Sequence, residues 1–337
     1  MTHSLTRRTT LAGLAASISA PAASRSGFAQ GASQGNIYTS NSAQAVEAVM
    51  DVARKTLPGV KISTVTGGSG QLLRRIEAEA AKPQGDVFWS SSANTLAGFQ
   101  QFFEPYKVAD QGAILESLRH PQDLWTAANI HVAVMMVNAT QLGGLAAPKA
   151  YVDLLDPKYK GKVIIADPAN SSTAYTILWG IEKMLGADGL KALAQNTKVT
   201  ASAPTVLRSV AQGEFAVGLT FESNGYTYVA GGQKEISLVY AADGTYTTPE
   251  FFALIKGAPA GDAAKKVCDL LASKEIQTAL LEVAFRRPAR TDIEVAKHAD
   301  LPELRSIKVF PTNEDAAAAE RKPFLERWAA FVAAAGN

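Results

Sequence analysis

The stretch Val60-Lys61-Ile62-Ser63-Thr64-Val65-Thr66-Gly67-Gly68-Ser69-Gly70-Gln71-Leu72-Leu73 alternates like a strand, turns through a glycine cluster and resumes with helical spacing. Residues 71–81 carry Leu72, Leu73 and Ile76 on one side of the expected helix. Upstream, residues 36–39 read as a short strand, and Ser42 caps a helix whose apolar positions Val46, Val49, Met50, Ala53 and Leu57 recur at helical spacing before Pro58-Gly59 ends it. Downstream, Lys82-Pro83-Gln84-Gly85 turns the chain into a third strand over 86–89. A β-α-β-α-β unit of this kind implies a parallel sheet with right-handed crossovers, hence an α/β fold.

The same alternation returns further on. Residues 130–137 form an apolar run suited to a strand buried on both faces, read as the first crossing into a second lobe. Strands are expected at 162–166, 215–221, 237–240 and 251–255. Helices are expected at 173–185, with Gly186 at the end, and at 205–212. The turn-rich stretch 243–250 reads as the return crossing, and the chain from Glu314 reads as helical. The resulting division is an export signal over 1–29, a discontinuous lobe one over 36–130 and 245–310, lobe two over 131–244, and a helical tail over 311–337.

The first residues indicate export. Thr6-Arg7-Arg8-Thr9-Thr10-Leu11 is a basic start, followed by an apolar, small-residue stretch too short to span a bilayer. The pattern resembles a twin-arginine leader, although Thr10 stands where such leaders favour Phe, so Sec export stays open. Gly27-Phe28-Ala29 offers cleavage before Gln30. Cys268 is the single cysteine, so no internal disulfide forms, and its apolar surroundings point to a buried, inert thiol. A net charge of +2 over 337 residues, with no basic run outside the leader, leaves no footprint for nucleic acid. The remainder is too long for one comfortable core, which favours two lobes.

Three Ser/Thr/Gly clusters sit where expected strands hand over to helices: Thr66 through Gly70, Ser90-Ser91-Ser92, and Ser171-Ser172-Thr173. Each is an ordinary helix start when taken alone. Together they describe a cleft at the carboxyl ends of a parallel sheet, offering N–H groups and hydroxyls to a small anion. The candidate binding set is Ser40, Asn41, Gly68, Ser69, Gly70, Ser90, Ser91, Ser171, Ser172, Thr173, Glu222 and Tyr226. Glu222, at a strand end, suits ligand hydroxyls or an amine, and Trp89 suits either a sugar ring or the core. No Gly-x-Ser-x-Gly elbow, phosphate loop or His-Glu-x-x-His appears, and Gly68-x-Gly70 is followed by Leu73 where a dinucleotide fingerprint needs glycine. Neither catalysis nor a cofactor is expected, and an enzyme acting on phosphoesters is the least favoured alternative.

The pattern Tyr38-Thr39-Ser40, Thr66 through Gly70, Arg75-Ile76-Glu77-Ala78-Glu79, Gly85-Asp86-Val87-Phe88-Trp89-Ser90, Leu155-Asp156-Pro157-Lys158-Tyr159-Lys160-Gly161-Lys162, Asp167-Pro168 and Ala242-Asp243-Gly244-Thr245 resembles the periplasmic solute-binding proteins of ABC importers. Within them it is similar to the iron/phosphonate/sugar-phosphate branch. The resemblance implies a two-lobed type II periplasmic-binding-protein fold that closes on its ligand. It also implies a periplasmic monomer that does not insert in the membrane and hands a small phosphorylated or phosphonated anion to an inner-membrane permease. Ferric members of the branch use neighbouring tyrosines, which makes Tyr226 and Tyr228 the alternative site. As a strand these two would share a face, whereas in a helix positions two apart point about 200° apart. His120, His131 and His298 show no ligand spacing to complete an iron sphere.

Overall fold

Strand and helix alternate from the first described residue, in a computed structural model that describes residues 33–310 and 313–336. The expected export signal, with Arg7-Arg8 and the cleavage site before Gln30, lies outside the described residues. β1 (Ser33–Thr39), α1 (Ala43–Thr56), β2 (Val60–Thr66), α2 (Ser69–Ala78) and β3 (Val87–Trp89) build the first unit, with β1 parallel to both β2 and β3. The Ser42 side chain accepts from the Ala45 N–H and starts α1. Successive strand residues face opposite layers: Ile37, Val87 and Trp89 pack under α1, while Tyr38 and Phe88 pack with Leu72, Leu73 and Ile76 of α2. Trp89 is fully buried, so it serves the core and stacks on no ligand.

After α3 (Ala93–Ala97) and β4 (Phe103–Glu104) the chain enters β5 (Thr126–Asn138), which serves two sheets. Its first half pairs antiparallel with β10 (Thr247–Ile255), and its second half pairs with β8 (Val217–Phe221) and β9 (Ile236–Val239). The second lobe comprises β6 (Val163–Ala166), α4 (Ser172–Asn196), β7 (Thr197–Thr200), α5 (Ala203–Ala211), β8 (Val217–Phe221), α6 (Glu222–Ala230) and β9 (Ile236–Val239). The chain then returns through β10 (Thr247–Ile255), α7 (Asp262–Ala272), α8 (Lys274–Ala284) and β11 (Arg287–Pro288), and α9 (Glu314–Ala335) follows. The path of paired strands runs β2-β1-β3-β10-β5-β8-β6-β7. Cys268 is buried between α7 and the sheet.

Three stretches bear on the sequence expectations. The span of α4 is broken at Gly186, as its sequence suggests: that residue leaves helical geometry at φ 73°, a conformation glycine adopts without strain, and a second helical segment runs on from the kink to Asn196. Residues Thr247 to Glu250, read as turn, already belong to β10, because pairing with β5 outweighs their turn propensity. Residues 225–230 are helical, which decides the Tyr226/Tyr228 geometry. Helix α9 packs on lobe two through Phe324 and Trp328, and Arg327 grips Glu182 of α4 with two bonds of 2.6 and 2.8 Å.

A buried ion pair crosses the junction of the sheets. Arg287 of β11 donates to both carboxylate oxygens of Glu222, the first residue of α6, at 2.8 and 2.7 Å. Tyr240 adds a bond of 2.6 Å, and both charged side chains are 2% exposed.

Removing one partner of such a pair leaves a buried charge alone. Glu222→Leu should lower unfolding free energy by about 3–5 kcal/mol, and Arg287→Met in the same chain should restore most of it, as read by chemical denaturation. A second measurement concerns His131 of β5, which stacks on Phe221 with ring centroids 4.8 Å apart. Burial, with Arg286 nearby, pushes its pKa down to about 3. Between that value and the usual 6.5 the unfolded chain binds a proton that the folded chain does not. Stability should therefore fall as pH drops below about 6.5, by up to about 1.4 kcal/mol per pH unit, and the slope should shrink in His131→Gln.

Candidate functional site

Parallel strands that end on one edge deliver their following residues to one place. Ser40 after β1, Ser69 opening α2 and Ser90 after β3 form a hydroxyl triangle. Ser69 Oγ lies 2.9 Å from Ser40 Oγ and 2.8 Å from Ser90 Oγ, and the Ser40 and Ser90 hydroxyls touch. Asn41 is tied down, donating its amide to Thr39 Oγ1 at 3.0 Å and to the Trp89 carbonyl at 3.1 Å. Ser91 adopts φ 74°, uncommon for a residue with a side chain, while its carbonyl accepts from the Phe251 N–H at 2.9 Å. Gly68 is the N-cap of α2 and makes no side-chain cap, so the first N–H groups of the helix, Gly70 among them, stay open.

Lobe two supplies the facing wall. The Ser171 side chain accepts from the Ala174 N–H and caps α4. Ser172, Thr173 and Thr176 then line the cleft from one face of the first turns, and their hydroxyls have no partner among the described residues. Asn224, in the first turn of α6, lines the same cleft. Helix α6 follows Phe221, which occupies the N-cap position and supplies no side-chain cap, so both walls present helix N-termini.

The floor comes from the crossing strands. His131 is the one residue of β5 that is not fully buried. Glu250 sits at a register shift in β10 that breaks the alternation and turns its carboxylate to the cleft. Arg286 follows Phe285, whose left-handed conformation (φ 55°) ends α8 and aims the next residue inward. Arg286 Nη1 donates to Glu250 Oε2 at 2.7 Å and to Asn129 Oδ1 at 3.4 Å. That orients the Asn129 amide toward His131 Nε2, 3.3 Å away, so Nε2 accepts and the imidazole proton sits on Nδ1. Burial raises the Glu250 carboxyl, while Arg286 and the Asn41 amide oppose the rise. The cavity is about 400 Å³.

The structure thus gathers Ser40, Asn41, Ser69, Ser90, Ser91, Ser172 and Thr173 around one cavity, with Gly68, Gly70 and Ser171 shaping its helix starts. Glu222 does not reach it, because Arg287 and Tyr240 occupy its carboxylate and leave the residue 1% exposed. Tyr226 does not reach it either. Its ring packs edge-on against Phe285 at 4.8 Å, while Tyr228 turns into the lobe-two core. Sequence reasoning missed Thr176, Asn224, Glu250, His131 and Arg286. Thr176 was legible as the position one turn after Ser172. The others depended on which strands meet.

A family model described as bacterial extracellular solute-binding protein matches residues 82–318. A Haemophilus influenzae protein of uncharacterised function is 30% identical over 291 residues, covering 80% of this chain and 82% of that one. A Salmonella typhimurium protein provisionally named a 2-aminoethylphosphonate-binding periplasmic protein is 23% identical over 289 residues, with the same shares covered. Among solved structures, the periplasmic binding protein AfuA of Actinobacillus pleuropneumoniae, with fructose-6-phosphate bound, superposes with a TM-score of 0.78 at 27% identity, covering 89% of this chain and 98% of that one. Two lobes sharing a crossing strand, a polar cleft between them and a family match over most of the chain agree: the protein belongs to the bacterial extracellular solute-binding protein family.

Proposed function

We propose that the protein is the periplasmic substrate-binding component of an ABC importer, capturing a small phosphorylated or phosphonated organic anion and passing it to an inner-membrane permease. The observation that carries this reading is the wall formed by Ser172, Thr173 and Thr176. Three uncommitted hydroxyls sit at the start of a long helix whose cap is a different residue, Ser171. Free N–H groups, the positive end of the helix dipole and hydroxyl donors suit a phosphoryl group without a lysine. The hydroxyl triangle across the cleft offers further donors from lobe one. AfuA, with its bound fructose-6-phosphate, and the Salmonella protein named for 2-aminoethylphosphonate lend support through their ligands.

A ferric reading draws on relatives such as the Neisseria meningitidis major ferric iron-binding protein, 24% identical over 272 residues. Here Tyr226 and Tyr228 diverge on α6 into separate clusters. Among the described residues no group of three or more His, Cys, Asp or Glu side chains converges on a metal position. The phosphoryl reading therefore accounts for the cleft better. Members of this family bind solutes, which fits recognition rather than catalysis, and among the described residues the hydroxyls of Ser40, Ser69 and Ser90 bond to one another.

Titration calorimetry with glucose 6-phosphate on Ser172→Ala/Thr173→Val should show a loss of about ten- to a hundredfold per lost bond, equivalent to about 1.5–3 kcal/mol each. Because Ser171 is the cap, the melting temperature of that variant should stay near the parent's. Ser171→Ala should do the reverse, lowering stability by about 1 kcal/mol with affinity nearly intact. Unchanged affinity in the double variant would move the anion to the Ser69 or Ser90 side. Since binding groups come from both lobes, saturating ligand should also shrink the radius of gyration in solution scattering, and an unchanged radius with proven binding would mean a rigid site.

A further inference from the structure

Three titratable side chains line the cleft: His131, Glu250 and Arg286. His131 is neutral at physiological pH for the reasons given above. Glu250 and Arg286 cancel one another through their 2.7 Å contact, so these side chains give the cleft no net charge. Two further acidic groups lie nearby, and both are occupied: Glu222 is enclosed by Arg287 and Tyr240, and Glu314 accepts from Thr248 Oγ1 at 3.0 Å and from the Asn94 amide at 2.7 Å.

The guanidinium is only half committed. Nη1 serves Glu250 and Asn129, whereas Nε and Nη2 have no partner among the described residues, and the side chain is 10% exposed at the cavity wall. Those two atoms form the planar edge with which arginine grips oxygen acceptors. An ammonium group brought there meets a fixed positive charge, and the one carboxylate beside it is already paired. It would lose its hydration without a free counter-charge. A second full anion would meet the Glu250 carboxylate. A hydroxyl or carbonyl oxygen avoids both penalties and accepts from the free edge.

We propose that Arg286 determines specificity at this site, taking a hydroxyl or carbonyl oxygen of the ligand's body on its Nε–Nη2 edge and excluding an ammonium group, so that the receptor prefers hydroxylated phosphoesters and phosphonates over their amino counterparts. This rests on the phosphoryl-binding reading of the cleft and adds the chemistry of the ligand's other end. It separates the chain from the provisional ligand of its Salmonella relative.

Matched pairs that exchange one hydroxyl for one ammonium test it: 2-hydroxyethylphosphonate against 2-aminoethylphosphonate, and glucose 6-phosphate against glucosamine 6-phosphate. Calorimetry on the full mature protein at pH 7 and fixed salt should give the hydroxylated member of a bound pair at least tenfold tighter. In Arg286→Gln the fixed positive charge that repels the amine and the Nε–Nη2 edge that holds the hydroxyl are both gone, so the ratio should fall toward one. In Arg286→Lys, which keeps the positive charge beside Glu250, the preference should persist at lower affinity. Thermal melting checks that each variant is folded, and the wild-type ratio stands as a test even where a variant is not. Equal or tighter binding of the amino member by wild type, or a ratio unchanged in a folded Arg286→Gln, overturns the assignment of Arg286 and leaves the phosphoryl reading intact. If wild type binds neither pair, the phosphoryl reading fails and this inference falls with it.

Discussion

The organisation of the molecule depends on β5 being a single strand with two sets of partners. Residues 126–132 hydrogen-bond to β10, and residues 133–138 hydrogen-bond to β8 and β9. A continuous extended backbone cannot be interrupted at the switch without losing ladder bonds on both sides, so the two sheets are held edge to edge. Every β5 residue is buried except His131. That exception marks where the two sheets diverge and where solvent, or a ligand, reaches the crossing strands.

Two arginines in succession serve the junction in different ways. Arg286 faces the cavity with Glu250 and Asn129, and Arg287 turns to the buried Glu222 at the start of α6. Side chains of neighbouring residues in extended chain point to opposite sides, so one dipeptide supplies both a recognition group and a fastening between the sheets. The fastening also explains why a carboxylate at a strand end is closed to ligand. Leaving Arg287 unpaired in a dry site would cost more than the hydrogen bonds Glu222 could offer a solute.

The walls follow a common rule for parallel sheets, in which strand ends lead into helix starts on one edge. What distinguishes the two walls is how their hydroxyls are occupied. On lobe one, Ser40, Ser69 and Ser90 satisfy each other and must turn outward to meet a guest. On lobe two, Ser172, Thr173 and Thr176 have no such contacts, since the capping duty falls on Ser171. A charged group therefore finds donors ready on one side and donors that exchange partners on the other.

The sequence by itself determined the α/β class, the helix starts at Ser42 and Ser171, the glycine turn before α2 and the serine clusters, because each of these depends on local periodicity and capping chemistry. It also located most of the cleft walls, since the end of a parallel strand is a local feature with a known direction. Only the tertiary structure decided the floor. Glu250 is turned by a register shift against β5, Arg286 is aimed by a left-handed residue at the end of α8, and His131 faces the cleft because β5 changes partners there. For the same reason Glu222 and Tyr226 were misread from sequence: their neighbours Arg287, Tyr240 and Phe285 are far away along the chain. Whether a carboxylate or a phenol is free depends on what packs against it, and packing partners are set by long-range strand order rather than by the residues on either side.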